Sequence, residues 1–108
     1  MYPRGYIPRT TEVRKTTQFA EWLDGLRDLR ARARIQVRIA RLAQGNAGDV
    51  MPVGEGVSEL RLDFGPGYRI YFTRVKRHIL VLLAGGDKAT QRTNIKDALR
   101  LARNLESP

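Results

Sequence analysis

The chain has 108 residues, which suits one domain with a modest core; it has no cysteine and a single histidine, His78, which excludes disulfides and thiolate metal sites and disfavours histidine-based ones. Lysine and arginine number 20 against 11 acidic residues, a net charge of +9, carried mostly by arginine, whose planar fork suits phosphate and carboxylate, so the partner is expected to be a nucleic acid or an acidic protein. No apolar run approaches a membrane span, and "MYPRGYIPRT" has no apolar centre of the kind a secretory signal needs, so a cytoplasmic protein is expected.

Residues 1–10, with Pro3, Gly5 and Pro8, read as a loose arm. "TEVRKT" reads as a short edge strand, with Thr17 as the cap of a first helix. Phe19, Trp22, Leu23 and Leu26 recur at helical spacing and make one apolar face. Asp28 caps a second helix, whose buried stripe is Ala31, Ile35, Ile39 and Leu42 and whose stop is Gly45-Asn46. Arg27, Arg30, Arg34, Arg38 and Arg41 form a basic stripe beside it if the helix is continuous, either a solvated face or a docking surface. "AGDVMPVGEG", broken by Pro52, reads as loop.

Next come three strands. In "VSELRLDF" Leu60, Leu62 and Phe64 face one way and Glu59, Arg61 and Asp63 the other; "YRIYFTRV" alternates in the same manner, and "GPG" makes the hairpin turn. Pairing Phe64 with Tyr68 sets Arg61 opposite Tyr71 and Asp63 opposite Arg69. "HILVLLAG" lacks alternation, as a strand covered on both faces does. His78 falls in the basic turn before it. "TQRTNIKDALRLARNL" closes the chain as a helix with Ile95, Ala98, Leu99 and Ala102 on its apolar face. The order β-α-α-β-β-β-α predicts one α+β domain over 1–108. It is a small, mainly antiparallel sheet with an N-terminal helical hairpin on one face and a C-terminal helix.

If the helices cover the oily sheet face, Arg61, Arg69 and Tyr71 project from the other, and Lys88 and Gln91 reach its rim. Two arginines, a lysine and a tyrosine then surround a shallow basic concavity able to hold phosphate and stack a base. Duller readings stand beside this one: Arg69 pairing with Asp63, Arg61 with Glu59, Tyr71 covering apolar surface, and Asp87 or Thr90 only capping the last helix. "GGDKATQ" fits neither a Walker nor a dinucleotide fingerprint, and no βαβ unit surrounds it, so nucleotide hydrolysis is rejected.

The motifs "FAEWLDGLRD", "RIARLAQGNAGD", "VGEGVSELRLDFGPGYRIYF" and "LLAGGDKATQ", followed by "NIKDALRLA", make the chain resemble the RelE/ParE superfamily of type II toxins. The branch it resembles is that of the HigB-like, phage-derived addiction module killer proteins, from about Thr10 to Asn104. The resemblance implies an antitoxin partner, typically a helix-turn-helix protein, and either metal-independent cleavage of translated mRNA at the ribosome or inhibition of DNA gyrase. It implies no cofactor and no metal. Arg61 matches the family's recurrent second-strand arginine, and Arg69 and Lys88 match motifs of the branch. With Tyr71 these are the expected catalytic residues. Gln91, Arg74 and Lys76 extend the set toward RNA, and Arg34, Arg38 and Arg41 are the expected antitoxin surface. No histidine is expected on the active face, so Lys88 or Tyr71 would assist proton transfer. The alternatives are a gyrase inhibitor without chemistry of its own and a degenerate toxin retained as a binding module.

Overall fold

A computed structural model describes residues 11–105, so the expected arm at 1–10 lies outside the described residues. Five strands and three helices follow in the order β1 (Glu12–Lys15), α1 (Thr17–Asp24), α2 (Leu29–Ala43), β2 (Val50–Gly54), β3 (Val57–Arg61), β4 (Arg69–Lys76), β5 (Ile79–Gly86) and α3 (Gln91–Leu105). The sheet order is β1-β5-β4-β3-β2. Every neighbouring pair is antiparallel except β1 and β5. The α+β class and the mainly antiparallel sheet are as expected.

Local chemistry sets the helix ends. Thr16, one residue before the expected cap, accepts a hydrogen bond from the Phe19 backbone N–H and donates its own hydroxyl to the Leu83 carbonyl at 2.7 Å. One side chain thus caps α1 and ties it to β5. Asp28 caps α2 by accepting from the Arg30 and Ala31 N–H groups, as expected. The chain is not helical between α1 and α2, so Arg27 stands outside the basic stripe. At the other end, the Gly45 N–H reaches the Leu42 carbonyl and the Asn46 N–H the Arg41 carbonyl, a Schellman closure at the expected stop.

Two readings are corrected by the strands. "VMPVG" is a strand, paired antiparallel to β3. Its proline hid it, but β2 is an edge, where a missing N–H leaves no ladder bond unmade. The β3–β4 hairpin is also wider than "GPG". The Gly67 N–H closes a turn onto the Phe64 carbonyl, and the Leu62 N–H bonds the Tyr68 carbonyl. The register therefore sets Glu59 opposite Tyr71 and Arg61 opposite Arg69. The shift is by two residues, so each side chain keeps its face.

The sheet is covered on both sides. Phe19, Leu23, Ala31, Ile35 and Leu42 from α1 and α2 pack on Leu60, Ile70, Phe72, Leu80 and Leu82. On the opposite face Ala98, with Ile95, Leu99 and Ala102 of α3, packs on Val57, Tyr71, Val81 and Leu83. The expected open face is thus closed by α3 over much of its area. Gly85 and Gly86 make the double layer possible. A side chain at Gly85 would collide with Trp22 of α1, and one at Gly86 with Asn94 and Thr90 beside the sheet's other face.

Candidate active site

At the end of β3 and β4 nearest the hairpin loop, the alternation delivers Glu59, Arg61, Arg69 and Tyr71 to the α3 side of the sheet. Glu59 is 2% exposed, a carboxylate taken out of water. Such burial is costly unless its oxygens are satisfied. They are divided with some economy. Oε2 accepts from the Tyr71 hydroxyl at 2.8 Å and from the Gln91 amide at 2.7 Å. Oε1 faces the Nε of Arg61 at 3.6 Å and the Nε of Arg69 at 4.0 Å. Two like charges set opposite each other in the ladder are thereby offset by one buried acid.

Beyond this cluster opens a hollow of about 450 Å³, lined by Arg61, Arg69 and Lys88, with Asp49, Asp63 and the glycine-proline loop completing its wall. Arg69 is nearly buried, and its Nη1 donates to the Gly67 and Tyr68 carbonyls, both at 3.3 Å. Arg61 is half-buried, with one long contact from Nη1 to the Met51 sulfur at 3.9 Å. Lys88 enters on a single 3₁₀ turn (Lys88–Thr90) that precedes α3. Asp87 caps that turn by accepting from the Thr90 N–H, while the Thr90 hydroxyl accepts from the Asp87 N–H. "GGDKATQ" is therefore a helix start that also carries a cation to the hollow. The arrangement can hold an anion of phosphate size against two guanidinium groups and an ammonium.

Of the expected residues, Arg61, Arg69 and Lys88 come together. Tyr71 does not project from an open face. It is wholly buried beneath α3, because the second apolar cluster closes over it. Burial first, then the hydrogen bond to Glu59 and that group's charge, push its hydroxyl well above the ordinary tyrosine pKa, and nearby Arg69 and Arg61 oppose this only partly. A hydroxyl held neutral in this way is no proton acceptor. Gln91 is half-buried and bonds Glu59 rather than standing free at the rim.

Arg74 and Lys76 lie at the far end of β4, roughly 20 Å of strand away from Arg69 by the ordinary rise per residue. They border a second groove of about 740 Å³, together with Arg14, Lys15 and Arg103. Arg34, Arg38 and Arg41 lie on α2. Arg34 sits over the Phe64 ring at 4.9 Å, Arg38 donates to the Ala47 carbonyl at 3.1 Å, and Arg41 is exposed. His78 is an exposed turn residue, as expected. The sequence reading assigned Glu59 no part in the site beyond a pair with Arg61. The signal was present, since its alternation placed it on the face of Arg61, two positions away.

The family model for "Phage derived protein Gp49-like (DUF891)" matches residues 21–106. A Haemophilus influenzae (strain ATCC 51907 / DSM 11121 / KW20 / Rd) protein bearing the name "Uncharacterized protein" is 46% identical over 96 residues, which is 89% of this chain and 97% of that protein. Among solved structures, a free-state form of E. coli toxin RelE with two arginines changed to alanine superposes with a TM-score of 0.68 at 8% identity, covering 84% of this chain and 96% of that one. The fold is therefore that of RelE, reached with very few residues in common.

Proposed function

The chain belongs to the Gp49-like family of phage-derived addiction module toxins and has the RelE fold, and from that premise we propose that it is a metal-independent endoribonuclease acting on translated mRNA at the ribosome. The observation that carries this reading is the convergence of Arg61, Arg69 and Lys88 on one hollow, where their three positive charges outnumber the carboxylates of Asp49 and Asp63. The RNA 2′-oxygen attacks the adjacent phosphorus, the bond from phosphorus to the 5′-oxygen breaks, and a 2′,3′-cyclic phosphate remains. Arg61 and Arg69 stabilise the charge that gathers on the non-bridging oxygens as the phosphorane forms. Lys88, the exposed cation, serves the departing 5′-oxygen, and the 2′-hydroxyl proton passes to water. Tyr71 and Gln91 act from behind through Glu59. Arg74 and Lys76, in the second groove, carry RNA backbone beyond the cleaved phosphate.

The partner in this reading is an antitoxin, docked on α2 through Arg34, Arg38 and Arg41, where complementary charge speeds encounter more than it sets affinity. No described helix is long and apolar enough to cross a membrane. The test is cleavage of a programmed message on purified ribosomes, with the new ends assayed for cyclic phosphate. Wild-type protein is expected to produce such ends. Intact message, together with loss of gyrase supercoiling by the same preparation, would replace the reading with that of a gyrase inhibitor.

A further inference from the structure

We propose that Glu59 is the positioning residue of the hollow: its Oε1 edge holds the Nε sides of Arg61 and Arg69 so that their Nη ends face the substrate phosphate. The inference rests on the reading of the hollow as the cleavage site and names what organises it. Three observations lead to it. Glu59 is buried and central in β3, yet it is acidic in a chain at +9. Its two oxygens do different work, since both neutral donors, Tyr71 and Gln91, go to Oε2 and both guanidinium groups lie toward Oε1. Finally, Arg61 has little else to hold it among the described residues. Its side chain is 32% exposed, and its other polar contact is a thioether at 3.9 Å.

An arginine free to rotate at the mouth of a hollow loses part of its effect, because each substrate must order it first. A buried carboxylate behind it removes that ordering cost. The ion pairs engage the Nε sides, and with Nη1 of Arg69 on the Gly67 and Tyr68 carbonyls and Nη1 of Arg61 toward the Met51 sulfur, the Nη2 of each guanidinium group has no hydrogen bond among the described residues and is left for phosphate. Hydrogen bonds from Tyr71 on β4 and from Gln91 at the start of α3 fix the carboxylate in turn. The orientation of Arg61 therefore depends on the meeting of the sheet with α3, whereas Arg69, whose buried Nε lies 4.0 Å from Glu59 without a hydrogen bond, is held also by the Gly67 and Tyr68 carbonyls.

The division of oxygens provides the test. Glu59→Gln with its amide oxygen at the Oε2 position keeps the acceptor for Tyr71 and Gln91. Its NH₂ then faces two N–H groups, and the hold on the arginines alone is lost. In the wild-type chain, NMR relaxation of the Arg61 Nε–H is expected to give an order parameter close to the rigid value of about 0.85. The exposed Arg92, which makes no side-chain hydrogen bond or ion pair among the described residues, should fall below about 0.6. In Glu59→Gln the Arg61 value is expected to fall to the Arg92 range. Cleavage kcat is expected to drop about 10-fold or more with KM within about 2-fold, as for an interaction used mainly in the transition state. Glu59→Asp, which keeps the charge, should recover part of kcat. Wild-type turnover in Glu59→Gln, or an Arg61 Nε–H as mobile in the wild type as that of Arg92, overturns the proposal. The second result does so even if the variant fails to fold. Should wild-type protein cleave no RNA, the reading of the site falls, whereas the order parameters still decide whether Glu59 holds Arg61.

Discussion

At the scale of single residues, the site is organised by an acid. Glu59 lies against the guanidinium groups of Arg61 and Arg69 and accepts from a tyrosine and a glutamine. It gives Tyr71 a structural duty in place of the exposed one its alternation suggested. The same contact has a consequence for pH. Tyr71 keeps its proton in the folded chain past the point where an unfolded tyrosine, with a pKa near about 10, loses it. Its contribution to stability is complete below that value and declines as pH rises above it, because the unfolded chain then binds fewer protons. Denaturant unfolding at intervals from about pH 9 to 11 should show stability falling with pH. In Tyr71→Phe, which loses the bond to Glu59 and is less stable at neutral pH, the fall should be shallower. Equal slopes in the two proteins would remove Tyr71 from the account.

Among the elements, the places where sequence and structure agree and differ have physical causes. Helical periodicity located α1, α2 and α3, because each buries one clear stripe. Alternation fixed the faces of β3 and β4, and a slip of two residues left them intact. β2 was missed because Pro52 and Gly54 carry no strand signal, although an edge tolerates both. The closed second face was missed for a different reason. Arg61 and Arg69 near its end suggested an open surface, while Tyr71, Val81 and Leu83 supply a floor for α3 that only the three-dimensional pairing assembles. Gly85 and Gly86 end β5 and carry a packing task that the sequence does not announce, since Gly85 lies against Trp22 and Gly86 against Asn94. Gly85→Ala and Gly86→Ala are each expected to cost about 1–3 kcal/mol through overpacking. Gly86→Ala should be partly rescued by Asn94→Ala, whereas Gly85→Ala should not. Chemical denaturation followed by fluorescence of Trp22 measures both. An Asp28→Ala chain, which loses the cap of α2, should lose about 1 kcal/mol in the same assay.

For the whole molecule, the net charge of +9 is spread over regions with different neighbours. Arg61, Arg69 and Lys88 share the hollow, Arg74 and Lys76 share the second groove with Arg14 and Lys15, and Arg34, Arg38 and Arg41 lie on α2. Composition alone predicts a polyanionic partner but cannot sort these regions, because the sorting depends on which strand ends and helix faces meet. RNA binding should weaken with salt. In Arg74→Ala/Lys76→Ala the log–log slope should be shallower by about 0.7 for each single-strand phosphate contact removed. A change in affinity with the slope unchanged would take the second groove off the RNA path. The central claim is that the hollow cleaves RNA with Arg61 as a transition-state group, and it is tested most directly by mapping mRNA 5′ ends in cells after induction of wild-type and Arg61→Ala chains at equal abundance. The account predicts new ends within translated regions for the wild type and about 100-fold or more less cleavage for Arg61→Ala, the usual scale for losing one donor to a developing anion. Arg61→Ala cutting the same messages at the wild-type rate, or a growth-arresting wild type that leaves every message intact, would contradict it.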